Sequence, residues 1–86
     1  MKHITQKELD RLEPLLERLR EIESLSEKKR GVFYLKSRAF LHFHEDPAGL
    51  FADVRLDGVE FARFDVTGPA EQRKLVARIR EMLRTS

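Results

Sequence analysis

Residues 32–66 read VFYLKSRAFLHFHEDPAGLFADVRLDGVEFARFDV, and this stretch decides the fold. Apolar and polar residues alternate with a period of two through Val32–Lys36, Ala39–His44, Leu50–Leu56 and Val59–Val66, which predicts four β-strands. The connectors are Ser37-Arg38, Glu45-Asp46-Pro47-Ala48-Gly49 and Asp57-Gly58. None is long enough for a parallel crossover, so the sheet is predicted to be an antiparallel meander. Asp-Gly between two alternating runs is a hairpin signal, because a type I′ turn needs positive φ at both central residues.

Outward from this core, the period changes to that of a helix on both sides. Before it, Leu9, Leu12, Leu16 and Leu19 recur at 3-4-3 spacing, with Leu15 and Ile22 widening the stripe. Thr5-Gln6-Lys7-Glu8 is a capping box, and Ile4 and Leu9 stand where a hydrophobic staple would be. Pro14 deletes one helical hydrogen bond and clashes with the preceding turn, so a kink is expected, or two short helices with Pro14 in the first turn of the second. The helical stretch is read as ending near Leu25, with Gly31 as a turn residue before the first strand. After the sheet, Gly68-Pro69 opens a last helix whose apolar face is Leu75, Val76, Ile79, Met82 and Leu83. The fold class is α+β: one α-β-β-β-β-α domain over residues 1–86, with an N-terminal helix kinked near Pro14, a four-stranded antiparallel meander and a C-terminal helix.

Composition narrows the function classes. The chain has no cysteine, so disulfides, cysteine-ligated zinc and thiol catalysis are excluded. Met1–Asp10 lacks the apolar core of a signal peptide, and no apolar run approaches a membrane span, so a cytoplasmic location is expected. The net charge of +2 is too small to argue for nucleic acid, but the charge is segregated. Residues 26–44 carry five basic groups and one acidic, residues 45–66 two basic and six acidic, and residues 67–86 five basic and two acidic. Lys28, Lys29 and Arg30, with Arg73, Lys74 and Arg78, form the candidate basic surface. A solvated charged helix is the preferred reading of those groups, because Glu45, Asp46, Asp53 and Glu60 would repel phosphate from the neighbouring sheet.

The turns imply a register. Two-residue turns at Ser37-Arg38 and Asp57-Gly58 pair Tyr34 with Leu41 and Val54 with Phe61, and the loop after His44 pairs His42 with Asp53. One face then carries Val32, Tyr34, Ala39, Leu41, Phe43, Ala52, Val54, Leu56, Val59 and Phe61, where both helices should pack. The other carries Phe33, Phe40, His42, His44, Phe51, Asp53, Arg55 and Phe64, a candidate binding face of four phenylalanines around a charged centre. Monomers rarely expose such a patch. The leading expectation is therefore a non-catalytic interaction domain, homodimeric or bound to another protein through that face, with nucleic-acid binding as an alternative.

His42, His44 and Asp53 make a second alternative, a metal site or a His–Asp acid–base pair. The structural reading, in which His42 bonds Asp53 and His44 is partly solvated, is preferred to a metal. No catalytic residue and no cofactor is assigned. Catalysis is disfavoured because nothing identifies a nucleophile, Ser37 lying in a turn at the far end of the strand.

The run from Ser37-Arg38-Ala39-Phe40-Leu41-His42-Phe43-His44-Glu45-Asp46-Pro47 through Gly49-Leu50-Phe51-Ala52-Asp53-Val54 resembles a group of short uncharacterised bacterial proteins, with no activity attached to the resemblance. The order helix, antiparallel strands, helix is also similar to that of MmcQ/YjbR-like proteins. Those are often labelled DNA-binding-like from fold, and no motif of theirs maps onto this chain residue by residue.

Overall fold

The structure is a computed structural model that describes residues 2–85. Its elements are β1 (Lys2–His3), α1 (Gln6–Arg11), α2 (Glu13–Arg20), β2 (Leu25–Lys29), β3 (Val32–Leu35), β4 (Arg38–Asp46), β5 (Gly49–Val54), β6 (Ala62–Asp65) and α3 (Pro69–Thr85). The α+β class and the antiparallel sheet are as read. The meander has five strands rather than four, in the order β2-β3-β4-β5-β6. β1 adds a short antiparallel pairing to β4, Lys2 opposite Glu45 and His3 opposite His44. β5 holds the other edge of β4 at those residues, so β1 continues the row of β3. No helix among the described residues is long and apolar enough to cross a membrane.

The helix ends at Arg20 rather than near Leu25, and the extra strand, β2, occupies what was read as the connection from the helix to the first strand. Its pattern is that of a charged edge strand: Leu25 is buried, while Ser26, Lys28 and Lys29 are exposed. Gly31, at φ 81°, closes the turn into β3. A Cβ there would stand 2.8 Å from Leu9 Cδ2, so the position needs glycine for space as well as for its backbone angle.

The N-terminal helix divides in two at Leu12, with Pro14 in the first turn of α2. Thr5 Oγ1 accepts from the Glu8 N–H at 3.3 Å, as the capping box requires. The reciprocal bond is not made by Glu8, whose carboxylate turns to Arg11. Glu45 of β4 accepts from the Thr5 N–H instead, at 2.7 Å, and so fastens the helix start to the sheet.

Two of the three expected registers shift: β3–β4 by two residues at Tyr34 and by one at Phe33, and β5–β6 by one. The β3–β4 turn is Lys36-Ser37, both at positive φ (53° and 68°), with Leu35 opposite Arg38. An irregularity then places Phe33 opposite Leu41, on the helix side. At β5–β6, Asp57 Oδ1 accepts from the Val59 and Glu60 N–H groups (2.8 and 2.9 Å), which draws residues 55–61 into a wider loop. Val54 therefore pairs with Ala62, and Arg63 comes opposite Asp53. Only β4–β5 keeps the expected pairing, His42 with Asp53 and His44 with Phe51.

These shifts correct the predicted faces. Phe33 and Phe40 are 0% and 2% exposed and belong to the core with Leu41, Phe43, Ala52 and Val54. Phe64 pairs with Ala52 and packs half-buried beneath Arg78 of α3. Of the four expected phenylalanines, Phe51 is the one left on the side of His44 and Asp53. Phe61 and Val59, read as core-facing, are exposed. All the helices supply one layer: Leu9, Leu12, Leu15, Leu16 and Leu19 from the first two, and Leu75, Val76 and Ile79 from the last. Burying each such side chain stabilises the fold by about 1.5–3 kcal/mol before entropy is counted.

Candidate functional site

The helix-free side of β4, β5 and β6 is built by alternation. Leu41, Phe43, Ala52 and Val54 point into the core, so His42, His44 and Asp53 point away from it. Asp53 is 8% exposed, the one buried charged residue among those described. A carboxylate so enclosed needs partners. Arg63 supplies two, with Nε 2.9 Å from Oδ1 and Nη2 3.2 Å from Oδ2. The Arg63 guanidinium holds the Asp53 carboxyl below the ordinary aspartate value, against the opposing effect of burial.

His44 takes the remaining approach, its Nε2 3.0 Å from Asp53 Oδ2. Although His42 is the residue directly opposite Asp53 along the strands, His44 is the one that meets the carboxylate. The His42 ring lies edge-on to His44 at 4.8 Å and to Phe61 at 5.0 Å. Burial, followed by the neighbouring His44, pushes the His42 imidazole below its ordinary pKa. His3 of β1 stacks on His44 at 6.1 Å, so the three histidines of the chain share this side. The donor atoms of His42, His44 and Asp53 all lie within 4.8 Å of one another. A cleft of about 480 Å³ opens beside them, where β1 takes over from β3 along β4, with His3, His42, Lys29 and Arg30 in its lining.

Arg55 continues this side, its guanidinium 4.4 Å from the centre of the Phe61 ring. Arg63, Phe61 and His3 complete the site and were not singled out from sequence. The first two arrive through the shifted β6 register, and His3 arrives through a strand of two residues. A one-residue slip at Asp57-Gly58 was the only available signal for Arg63.

The basic residues are divided. Lys28 and Lys29 lie on β2, one edge of the sheet, with Lys28 5.9 Å from the Tyr34 ring. Arg73, Lys74 and Arg78 lie on α3, which packs on β6 at the other edge. Arg30 is engaged by Asp10 and Glu13, both at 2.8 Å. Arg30 and Arg20 together lower the Glu13 pKa to about 2. These groups join helix to sheet: Arg20 also contacts Glu27 of β2 at 2.6 Å.

Among the described residues, neither Ser37 nor Thr67 stands with the histidines as a nucleophile. Ser37 sits in the β3–β4 turn, and Thr67 Oγ1 is engaged with the Leu50 backbone. No family model matches the chain, and neither a curated protein nor a solved structure matches it, so a functional reading rests on the chemistry of these side chains.

Proposed function

We propose that the chain is a non-catalytic binding domain whose helix-free sheet face holds a divalent transition-metal ion at His42, His44 and Asp53. The observation that carries the reading is the approach of these three donor groups to within 4.8 Å of one another. Donors around a tetrahedral zinc ion stand about 3.3 Å apart. His44 Nε2 and Asp53 Oδ2, at 3.0 Å, already have nearly that spacing. A movement of about 1.5 Å closes the widest separation.

Two imidazoles and a carboxylate suit zinc or nickel better than calcium or magnesium, which prefer oxygen donors throughout. Arg63 fits as the outer partner that keeps hold of Oδ1 and orients the carboxylate. Its positive charge opposes the ion and keeps the expected affinity modest. Half of its side chain is exposed, so Nη2 has room to withdraw from Oδ2. The structural reading weighed from the sequence required His42 to be committed to Asp53; with His44 in that place, His42 is left as a further donor.

Calorimetric titration with Zn²⁺ and Ni²⁺ tests the reading. One ion per chain is expected, with affinity reduced about tenfold or more by His42→Ala and by Asp53→Asn. No binding by the wild type, or binding undiminished from wild type in both variants, removes it.

Self-association is the second reading. It is favoured by Val59 and Phe61, 71% and 39% exposed in the 55–61 loop. Light scattering of a monomer at micromolar concentration would exclude it.

A further inference from the structure

Two arginines flank the sheet face, and they are unequally provided for. Arg63 has its Nε and Nη2 on the carboxylate of Asp53. Arg55 Nε is buried and has no hydrogen-bond partner, the one such side-chain atom among the described residues. A buried N–H without an acceptor costs about 1–3 kcal/mol, so native structures seldom keep one without a use.

The surroundings of Arg55 specify what is missing. A cavity of about 150 Å³ lies between the β3–β4 turn and the 55–61 loop, and Lys36, Arg38 and Arg55 all line it. Leu35, Ala39 and Phe40 give it an apolar lining. Arg38 Nη1 reaches the Gly58 carbonyl at 3.3 Å and ties the two loops together across it. The nearby acids do not complete Arg55. Asp57 Oδ1 is committed to two backbone N–H groups of its own loop, and Glu60 is exposed. Three cationic residues line one small space, and although Asp57 lies near enough to feel the Arg55 charge, no carboxylate hydrogen-bonds Arg55 Nε.

We propose that Arg55, with Lys36 and Arg38, binds a small oxyanion, a carboxylate or a phosphate group, in this cavity. The cavity holds the volume of about five water molecules, enough for such a group and too little for a nucleoside. The Nε edge of a guanidinium matches two oxygens of an oxyanion, as Arg63 matches Asp53 in the same sheet. Arg55 Nε is closed to solvent as the structure stands, so binding requires the Phe61 ring, which lies over the guanidinium and is 39% exposed, to swing aside. This site is separate from the histidine cluster and does not depend on a metal there.

The test is a titration of the ¹⁵N-labelled protein with sodium phosphate and, separately, sodium acetate. It is followed at the Arg55 Nε–H resonance with a chelator present, and sodium chloride at equal ionic strength is the control. A saturating shift in the millimolar range, beyond that of chloride, is expected from at least one of the two anions. Phosphate alone assigns a phosphoryl ligand, and acetate alone a carboxylate. Arg38→Gln, an exposed change that spares the core, should weaken binding about threefold or more, and in Arg55→Lys, followed at the backbone amides of Arg38 and Gly58 that shift with the Nε–H in the wild type, the saturating shift should be lost. Shifts no larger than those of chloride, or an affinity unchanged in Arg38→Gln, would overturn the proposal.

Discussion

The β4–β5 hairpin and the β5–β6 pair share a strand, yet their registers are set by different forces. In β4–β5, Leu41, Phe43, Leu50, Ala52 and Val54 are all buried, so both partners are tied to the core at alternate positions. A slip of one residue would turn this set outward, and no turn preference is worth that much. In β5–β6, the second strand has one half-buried residue, Phe64, between exposed neighbours. There the polar contacts decide: Asp57 gathers the loop through backbone N–H groups, and Asp53 holds Arg63. A register fixed by burial can be read from hydrophobic alternation, whereas one fixed by polar capture cannot.

The largest effect that separates the two pairs is the loss of a phenylalanine. Phe43→Ala, in β4, should cost about 3–5 kcal/mol in urea unfolding, and Phe64→Ala, in β6, markedly less. Equal losses would mean that β6 is as firmly anchored as β4. Next comes Asp53→Asn, which weakens the Arg63 fork and should cost about 1 kcal/mol, a figure discounted because half of Arg63 is exposed.

That difference should depend on pH in a definite direction. Arg63 lowers the folded-state pKa of Asp53, so the carboxylate stabilises the fold fully above its ordinary value of 3.8. The contribution disappears as pH falls from there through the lowered folded value. Wild type and Asp53→Asn should therefore converge in stability at the acid end, and a gap that persists there would contradict the assignment. The smallest effect is expected from Val59→Ser, in the exposed loop, within about 0.5 kcal/mol of wild type.

The same contrast explains how much was legible in the sequence. The leucine stripe, the Thr5 cap, the break at Pro14, the last helix and the β4–β5 register follow from periodicity and local hydrogen bonding. β2 was missed because Leu25 is its one buried residue, so Ser26–Lys29 shows no apolar alternation and read as a charged connection. The first hairpin was misplaced because Lys36 and Ser37 both take positive φ, with no glycine or asparagine to announce it. The misread registers of the first hairpin and of β5–β6 created the apparent four-phenylalanine face. The histidine cluster was legible because its members lie on the strand pair that burial fixes. Arg63 and His3 were not, since each comes from a strand without a buried alternation of its own.

The central claim is that this pairing assembles a metal site on the face away from the helices. Side-chain ¹⁵N NMR of the histidines during a Zn²⁺ titration tests it most directly. One ring nitrogen each of His42 and His44 should show a large, saturating shift that Asp53→Asn weakens. No site-specific shift, or one confined to His3, would contradict the account.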